Sequence, residues 1–224
     1  ATNVIWDGSE ALWFLAPMEA THQLCRVDMN GNVSVLTRGD HDINAVSIAN
    51  GKAVADICTI SSPSELYEID LKDGALTQLT FINQPILDKI RLGKVEKRWV
   101  ETTDGKQMLT WVILPPDFDP AKKYPTLLYC EGGPQSVVSQ FWSYRWNFQL
   151  MAANGYIPTA GACLRSDRSG STRSRATTRA RTSATTSRPS TTSPRSPGWT
   201  RTAWAASALR TAVIRSISWP VNLT

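Results

Sequence analysis

The chain has 224 residues, 42% of them hydrophobic, and a formal net charge of +5. This length suits one or two globular domains, but the charge is unevenly distributed. Residues 1–157 carry 13 Lys and Arg against 18 Asp and Glu, whereas residues 158–224 carry 11 Arg and a single acid, Asp167. The overall basicity describes neither part, so it does not by itself predict nucleic-acid binding.

Cysteines and histidines are few and widely separated. The four cysteines, at positions 25, 58, 130 and 163, include no CxxC pair, and the histidines are His22 and His41. This spacing predicts neither a zinc site nor a disulfide framework, and we expect neither a metal nor another cofactor. Cys25, Cys58 and Cys130 are expected to be buried free thiols. No apolar run reaches the about 18 to 20 residues that a membrane-spanning helix needs.

Residues 11–80 alternate between short apolar runs and turn residues. Three pairs that favour the positive φ angles of tight hairpin turns separate several of these runs: Asn30-Gly31, Asn50-Gly51 and Asp73-Gly74. The pattern predicts seven strands, which are Leu12–Leu15, Leu24–Met29, Val33–Leu36, Val46–Ile48, Ala53–Cys58, Leu66–Leu71 and Leu76–Leu79.

An internal repeat relates two groups of these strands. The segment LCRVDMNGNVSVLT, which begins at Leu24, is similar to LYEIDLKDGALTQLT, which begins at Leu66, an offset of 42 residues. Such a period with several strands per unit is typical of β-propeller blades, and an antiparallel sandwich is the alternative. Because two blades cannot close a ring, we expect more of the protein to precede Ala1. The first residues, ATNVIWDGSEALWF, do not resemble a signal peptide.

The pattern changes after the last of these strands. Lys97–Thr102 and Gln107–Leu114 are predicted to form a hairpin around Asp104-Gly105. Two prolines and a polar loop follow. The continuous apolar run Thr126–Cys130 then predicts a strand that is buried on both faces.

A glycine turn, a helix and another strand complete this second region. The turn is Glu131-Gly132-Gly133-Pro134, directly after the buried strand. Trp142–Ala153 has helical spacing of its apolar residues and ends at Asn154-Gly155, and a new strand is predicted from Tyr156. A hairpin, a buried strand, a glycine turn, a helix and a strand are the opening of an α/β-hydrolase sheet.

Residues 97–157 carry a specific resemblance to a known family. The segment KRWVETTDGKQMLTWVILPPDFDPAKKYPTLLYCEGGPQSVVSQFWSYRWNFQLMAANGYI resembles the start of the peptidase domain in the prolyl-oligopeptidase family of serine peptidases. It is most similar to bacterial dipeptidyl-peptidases of the acylaminoacyl-peptidase branch. The resemblance implies a β-propeller fragment followed by an incomplete α/β-hydrolase domain.

The resemblance also implies an oxyanion loop at Glu131, Gly132 and Gly133, because backbone N–H groups in a glycine turn can point at a developing alkoxide. Many relatives carry Tyr or His where Glu131 stands. In such enzymes a serine attacks the scissile carbonyl, a histidine transfers the proton and an aspartate orients the histidine. His22 and His41 lie in the propeller segment and are poor candidates for that base. We expect them to be exposed or hydrogen-bonded loop residues.

The implied activity is that of a serine exopeptidase. Its products are dipeptides, or acyl-amino acids, released from the N-termini of short peptides, and the propeller restricts access to such peptides. The resemblance further implies an exported, periplasmic enzyme that can form a homodimer. It implies neither a nucleic-acid partner nor a membrane span.

The family pattern stops after Ile157. Of the 67 residues in 158–224, 46 are Ser, Thr, Arg or Ala, a composition typical of disorder. Shifted codons, which join the third base of one codon to the first two bases of the next, can encode family sequence across this stretch. They include a G-x-S-x-G nucleophile elbow whose serine codon overlaps Leu209 and Arg210. We therefore predict a frameshift, with the catalytic Asp and His encoded beyond Thr224.

These predictions divide the chain into three segments. Residues 1–93 are the C-terminal blades of a propeller, 94–157 the N-terminal part of a peptidase domain, and 158–224 a frameshifted, disordered tail without a natural fold. The chain as written has no catalytic triad and is expected to be inactive. We also expect it to fold badly, with the apolar stretches Val112–Leu114 and Leu127–Tyr129 uncovered.

Two other functions stay open at this point. The first is a β-propeller interaction module with a disordered tail. The second is a basic Ser/Arg-rich protein that binds nucleic acid through Arg165–Arg210, which requires salt-dependent binding.

Overall fold

A computed structural model of the chain describes residues 2–101, 107–129, 138–162 and 215–217. These residues form two β-sheets and two short helices. Within the described part, neither helix is long and apolar enough to cross a bilayer. The elements in chain order are β1 (Thr2–Asp7), β2 (Ala11–Met18), β3 (Thr21–Asp28), β4 (Val33–Val35), β5 (Asp42–Ala49), β6 (Lys52–Thr59), β7 (Ser62–Ile69), β8 (Leu76–Gln78), α1 (Gln84–Leu87), β9 (Val95–Glu101), β10 (Gln107–Ile113), β11 (Thr126–Tyr129), α2 (Phe148–Ala153), β12 (Ile157–Ala162) and β13 (Arg215–Ile217).

The first sheet consists of two four-stranded antiparallel units, β1–β4 and β5–β8. Within each unit every strand pairs with the next one along the chain. The units join where β3 and β5 make a single parallel pairing of His22 with Asp42. All seven strands predicted for residues 11–80 are confirmed, with somewhat different ends.

The sequence repeat is also a repeat of hydrogen bonds. In the first unit the N–H of Leu24 donates to the Thr37 hydroxyl at 2.9 Å, and the N–H of Thr37 donates to the Leu24 carbonyl at 3.4 Å. In the second unit Leu66 and Thr80 make the same two contacts, at 2.9 Å and 3.4 Å. The offset between Leu24 and Leu66 is therefore a structural repeat, in which a threonine ties the end of each fourth strand to the third.

The predicted turn glycines adopt the left-handed conformation that their turns require. Gly31, Gly51 and Gly74 have φ angles of 84°, 74° and 76°, and Asn50 has 52°. Glycine reaches these angles without the steric penalty of a Cβ atom. The hairpin signals in the sequence are thus confirmed at these positions.

One hydrophobic cluster extends across both units of the first sheet. Its residues alternate along the strands, so one face of each strand is buried while the other is more exposed. The cluster contains Trp13, Leu15, Leu24, Ile43, Val46, Ala53, Ala55, Ile57 and Ile69.

The second sheet has the strand order β13-β11-β12-β10-β9. The predicted hairpin is confirmed, because β9 and β10 pair antiparallel from Val95↔Ile113 to Glu101↔Gln107. The turn around Asp104-Gly105 lies outside the described residues. The strand predicted from Thr126 is also confirmed, and it pairs in parallel with β12, to which α2 connects it.

The second helix is shorter than predicted. The prediction that it begins at Trp142 is wrong, because α2 begins at Phe148 and Asn147 is its N-cap. The Asn147 side chain accepts a hydrogen bond from the N–H of Leu150 at 2.8 Å, which satisfies one of the free donors of the first turn. Its predicted end is confirmed, since Asn154 is the C-cap and Gly155 has a φ of 82°.

Strand β12 crosses the predicted break in the sequence. The prediction that residues 158–224 lack a fold is wrong for Pro158–Ala162, which continue β12 between β11 and β10. Arg215–Ile217 also forms a strand, which pairs antiparallel with β11. The small residues of 158–162 can be accommodated because both neighbouring strands supply pairing partners.

Two apolar stretches of the second sheet were predicted to be uncovered, and this prediction is wrong for one of them. Val112–Leu114 is buried, because the loop that follows β10 folds back over it. Phe118 and Tyr124 of that loop pack on the cluster of Val112, Leu114 and Ile157, and their rings lie 5.2 Å apart. In Leu127–Tyr129, the two leucines are half-buried and the tyrosine is buried.

Candidate functional site

The predicted catalytic segments lie outside the described residues. This applies to the oxyanion loop Glu131, Gly132 and Gly133, and to Leu209 and Arg210, whose codons overlap the predicted nucleophile. The residues on both sides of the loop are described, since β11 ends at Tyr129 and the chain continues from Val138. We therefore define the candidate site by the residues that flank this loop, which are Tyr129 before it and residues 138–140 after it.

Aromatic packing fixes Tyr129, which precedes the loop. The buried Tyr129 ring meets Phe148 edge-on, with centroids 5.2 Å apart, and lies 6.3 Å from the Trp146 ring. Phe141 packs on Phe148 from a centroid distance of 5.8 Å. Edge-to-face pairs of this kind contribute about 0.5 to 1.5 kcal/mol beyond their buried area. The end of β11 is thus held against the start of α2.

Polar contacts with the first sheet fix residues 138–140, which follow the loop. Ser139 and Gln140 are each 3% exposed. The Ser139 hydroxyl donates to the Asp42 carboxylate at 2.5 Å, and the Gln140 side-chain oxygen accepts from the N–H of Ile60 at 3.1 Å. Both partners belong to the first sheet or the turn that follows β6. The chain that leaves the loop segment is therefore bound to the neighbouring sheet.

Further contacts surround the boundary between the two sheets. The Trp111 indole N–H donates to the Ala20 carbonyl at 3.3 Å. The buried Gln149 side chain donates to the Ser61 hydroxyl at 2.8 Å and to the Gly93 carbonyl at 3.0 Å, and it accepts from the N–H of Gly93 at 2.7 Å. Ala20 and Ile60 also belong to the main hydrophobic cluster of the second sheet. The two sheets therefore share one packed boundary, and the candidate site lies at it.

His22 contributes to this boundary through Asp42. Asp42 is 2% exposed, and it accepts a hydrogen bond from the N–H of His22 at 3.0 Å. Its carboxylate lies 3.3 Å from Nδ1 of the same histidine. The hydrogen bond with Asp42 raises the pKa of His22, against the opposing effect of burial. His22 lies in β3, so the prediction that it is a loop residue is wrong.

Ser139, Asp42 and His22 do not form a catalytic triad. In a triad the histidine lies between the serine and the acid and accepts the serine proton. Here the acid lies in the middle, and the buried Ser139 hydroxyl donates to it. The Ser139 hydroxyl donates to the Asp42 carboxylate instead of to a histidine, so the arrangement suits a structural contact and not nucleophilic attack.

His41, the second histidine, is buried, and one of its ring nitrogens has no hydrogen-bond partner among the described residues. His41 lies in the loop before β5, and its Nε2 has no hydrogen-bond partner among the described residues. Burial lowers the pKa of His41, although the charges of Asp42 and Asp40 oppose this effect. His41 was predicted to be an exposed or hydrogen-bonded loop residue. It does lie in a loop, but it is buried and not exposed.

The described cysteines suit structural positions. Cys25 and Cys58 are buried free thiols, as predicted, while Cys130 lies outside the described residues. Burial raises the pKa of both described thiols, which disfavours a thiolate nucleophile. Among the described residues no three His, Cys, Asp or Glu side chains are grouped so that they could hold a metal ion.

Comparison with known proteins relates the chain to a group of peptidases. No family model matches it. It is 47% identical over 153 residues to dipeptidyl-peptidase 5 of Porphyromonas gingivalis, a match that covers 68% of this chain and 22% of that relative. It is 43% identical over 148 residues to dipeptidyl-peptidase 5 of Porphyromonas endodontalis, which covers 66% and 21%. The chain therefore spans about a fifth of the length of these relatives.

Solved structures show the same fold. An acylaminoacyl peptidase of Pyrococcus horikoshii matches 71% of this chain and 24% of its own, with a TM-score of 0.59 and 24% identity. Dipeptidyl peptidase 4 of Porphyromonas gingivalis matches 69% and 23%, with a TM-score of 0.51 and 19% identity. The chain is thus similar, in sequence and in fold, to serine peptidases of the prolyl-oligopeptidase family. The resemblance found in residues 97–157 is thus confirmed.

The residues that join the two sheets were not predicted from the sequence. Asp42, Ser139 and Gln140 are polar residues that the fold buries. Asp42 and Ser139 are 97 positions apart, so no local pattern relates them. Ser139 and Gln140 follow a Val-Val pair and precede Phe-Trp, and polar residues embedded in such an apolar run are the one available signal.

Proposed function

We propose that the chain is part of a serine exopeptidase that releases dipeptides from the N-termini of short peptides. The observation that carries this proposal is 47% identity over 153 residues with a protein named dipeptidyl-peptidase 5. The acylaminoacyl peptidase is less than 25% identical and supports a common fold alone. Release of dipeptides is therefore better supported than release of acyl-amino acids.

The proposed domain division follows the two sheets. Residues 1–93 are the C-terminal blades of a β-propeller, and the repeated four-stranded units with their matching Leu24–Thr37 and Leu66–Thr80 contacts support this. Residues 94–157 begin an α/β-hydrolase domain. The antiparallel hairpin β9–β10, followed by β11, α2 and the parallel strand β12, supports that assignment.

Glu131, Gly132 and Gly133 are the proposed oxyanion loop. They follow the carboxyl end of β11, which pairs in parallel with β12, and ligands of α/β sheets bind beyond the carboxyl ends of such strands. Backbone N–H groups in this turn would stabilise the negative oxygen of the tetrahedral intermediate.

A frameshift after Ile157 explains why the chain as written lacks a nucleophile. The 153 residues matched to the first relative are close in number to the 157 that precede the break. Pro158 lies in an interior strand, between β11 and β10, although proline has no N–H to donate and is normally confined to edge strands. In the shifted frame the serine codon overlaps Leu209 and Arg210, and we propose that the product as written is inactive.

The test is peptidase activity of the protein made from a gene whose shifted frame has been restored. It should release dipeptides from a peptide with a free N-terminus, and an N-acetylated copy of that peptide should be resistant. Changing the elbow serine to alanine should reduce the rate at least about 1,000-fold, as expected for loss of a nucleophile. A folded product that releases no dipeptide, or one whose alanine variant keeps full activity, would refute the proposal and favour an interaction module.

A further inference from the structure

The turn between β2 and β3 has a backbone conformation that its residues disfavour. The strands pair up to Met18↔Thr21, so Glu19 and Ala20 form the two-residue loop. Their φ angles are 45° and 60°, in the left-handed region at both positions. Such a loop usually has the sequence Asn-Gly, because other side chains are disfavoured in this conformation. The Thr21 hydroxyl donates to the Met18 carbonyl at 2.6 Å across the loop, but this bond does not remove the steric cost of a left-handed Glu-Ala pair.

Another turn of the same sheet has this conformation with the favoured residues. Asn50 and Gly51 connect β5 to β6, and their φ angles are 52° and 74°. Both residues are exposed, and nothing lies within 4 Å of the position that a Cβ on Gly51 would take. The exposed turn therefore has residues that favour its backbone by themselves. The Glu-Ala turn lacks this local preference and needs another source of stability.

Contacts with the second sheet provide that source. The Ala20 carbonyl accepts from the indole N–H of Trp111 in β10 at 3.3 Å. Ala20 is 1% exposed and belongs to the main hydrophobic cluster of the second sheet. The Glu19 carboxylate lies 2.8 Å from Nζ of Lys97 in β9. Each residue of the turn is therefore held by a different strand of the second sheet.

We propose that the Glu19-Ala20 turn is a strained latch between the two sheets, which keeps its left-handed backbone because the second sheet binds it and relaxes when the sheets separate. Disfavoured backbone conformations persist only where the surrounding structure fixes them. Since coupling is reciprocal, weakening the contacts of the second sheet should loosen the turn. The latch is a property of the boundary between the sheets and does not depend on the proposed peptidase activity.

Hydrogen exchange in two backgrounds tests this dependence. Trp111→Phe removes the indole N–H and keeps an aromatic ring in the core. In the wild-type background it should speed exchange of the amides of residues 18–22 about tenfold or more. In the double variant Glu19→Asn, Ala20→Gly, whose turn has the favoured residues, it should speed exchange less than about twofold. The amides of residues 50–53 are the internal control and should not change in either background.

A second variant leaves the hydrophobic core intact. Lys97→Met removes the ion pair with Glu19, and the Lys97 side chain is 27% exposed. It should speed exchange of residues 18–22 about threefold in the wild-type background and have no effect in the double variant. This variant tests the dependence even if Trp111→Phe does not fold.

Glycine substitution measures the strain itself. Ala20→Gly removes a buried methyl group but also relieves a left-handed alanine. Ala55→Gly in β6 is the matched control, because Ala55 is also 1% exposed and does not have a positive φ angle. Ala55→Gly should lower the melting temperature by about 2 °C or more, whereas Ala20→Gly should leave it unchanged or raise it.

Three results would overturn the latch. The first is unchanged exchange of residues 18–22 after both Trp111→Phe and Lys97→Met, because the turn would then hold without the second sheet. The second is equal acceleration in the wild-type and double-variant backgrounds, which would report a general loosening of the boundary. The third is a fall in melting temperature for Ala20→Gly as large as that for Ala55→Gly, which would show that the turn is not strained.

Discussion

Two histidines near Asp42 respond to pH in opposite directions. His22 gains a hydrogen bond from its contact with Asp42, so its pKa is raised, whereas burial lowers the pKa of His41. A raised pKa stabilises the fold below the pKa of the unfolded chain, near 6.5, and this contribution is lost as the pH rises through the folded value. The lowered pKa of His41 has the reverse effect. Its contribution to stability is present above the pKa of the unfolded chain and is lost as the pH falls through the folded value.

We predict that His22→Gln is more destabilising at pH 6 than at pH 8. The variant removes the group that is charged in the folded state at the lower pH, while Asp42 keeps its contacts with Ser139 and the backbone. Urea denaturation of wild type and variant at both pH values measures the difference. A loss of stability that is equal at both pH values, or larger at pH 8, would contradict the pKa direction.

Two turn glycines with almost the same φ angle should differ in their tolerance of alanine. Gly74 and Gly51 have φ angles of 76° and 74°. A Cβ on Gly74 would lie 2.3 Å from the Leu36 carbonyl oxygen, while nothing lies within 4 Å of one on Gly51. Gly51→Ala should cost about 1 to 2 kcal/mol for the left-handed backbone, and Gly74→Ala should cost about 1 to 3 kcal/mol more. Thermal unfolding of both variants compares them, and equal costs would show that the close approach to Leu36 is irrelevant.

At the level of single elements, Asn147 determines where α2 begins. Its side chain caps the N–H of Leu150. Asn147→Ala should therefore reduce the free energy of unfolding by about 1 kcal/mol, and Asn147→Ser should retain most of it. Denaturant titration of the two variants provides the measurement. If serine were as destabilising as alanine, the cap would not be the cause.

The strands were predictable because their signals are local. Alternation and Asn-Gly or Asp-Gly pairs identify β2 to β8, and continuous apolar sequence identifies β11. The start of α2 was not predictable from periodicity, since Trp142 and Trp146 have helical spacing but pack as part of an irregular segment. Strand β1 and the single-turn helix α1 were also not predicted, because the first has little apolar alternation and the second is four residues long.

At the scale of the whole molecule, buried polar side chains join the two sheets. Gln149→Leu should destabilise the protein by at least about 2 kcal/mol, because it leaves the buried N–H and carbonyl of Gly93 without their partner. Gln107→Leu is the control, as Gln107 is exposed on β10 and should change stability by less than about 0.5 kcal/mol. Urea denaturation followed by tryptophan fluorescence measures both. Similar small effects for the two variants would mean that the boundary is not held by Gln149.

The sequence predicted the family and both sheets, but not how the sheets meet. Each sheet is specified by residues close together in sequence, whereas the Asp42–Ser139 contact depends on the folded arrangement of both sheets. The end of the folded part was also not predictable. Residues 158–162 were expected to lack a fold and instead continue β12, because backbone pairing with β10 and β11 depends little on side-chain identity.

The nucleotide sequence from the Ile157 codon onwards most directly tests the proposal that residues 94–157 begin a peptidase domain whose reading frame is lost after Ile157. We predict that the shifted frame is open, encodes a G-x-S-x-G elbow across Leu209 and Arg210, and continues beyond the Thr224 codon to an aspartate and then a histidine. A shifted frame that meets a stop codon before Leu209 would contradict the claim.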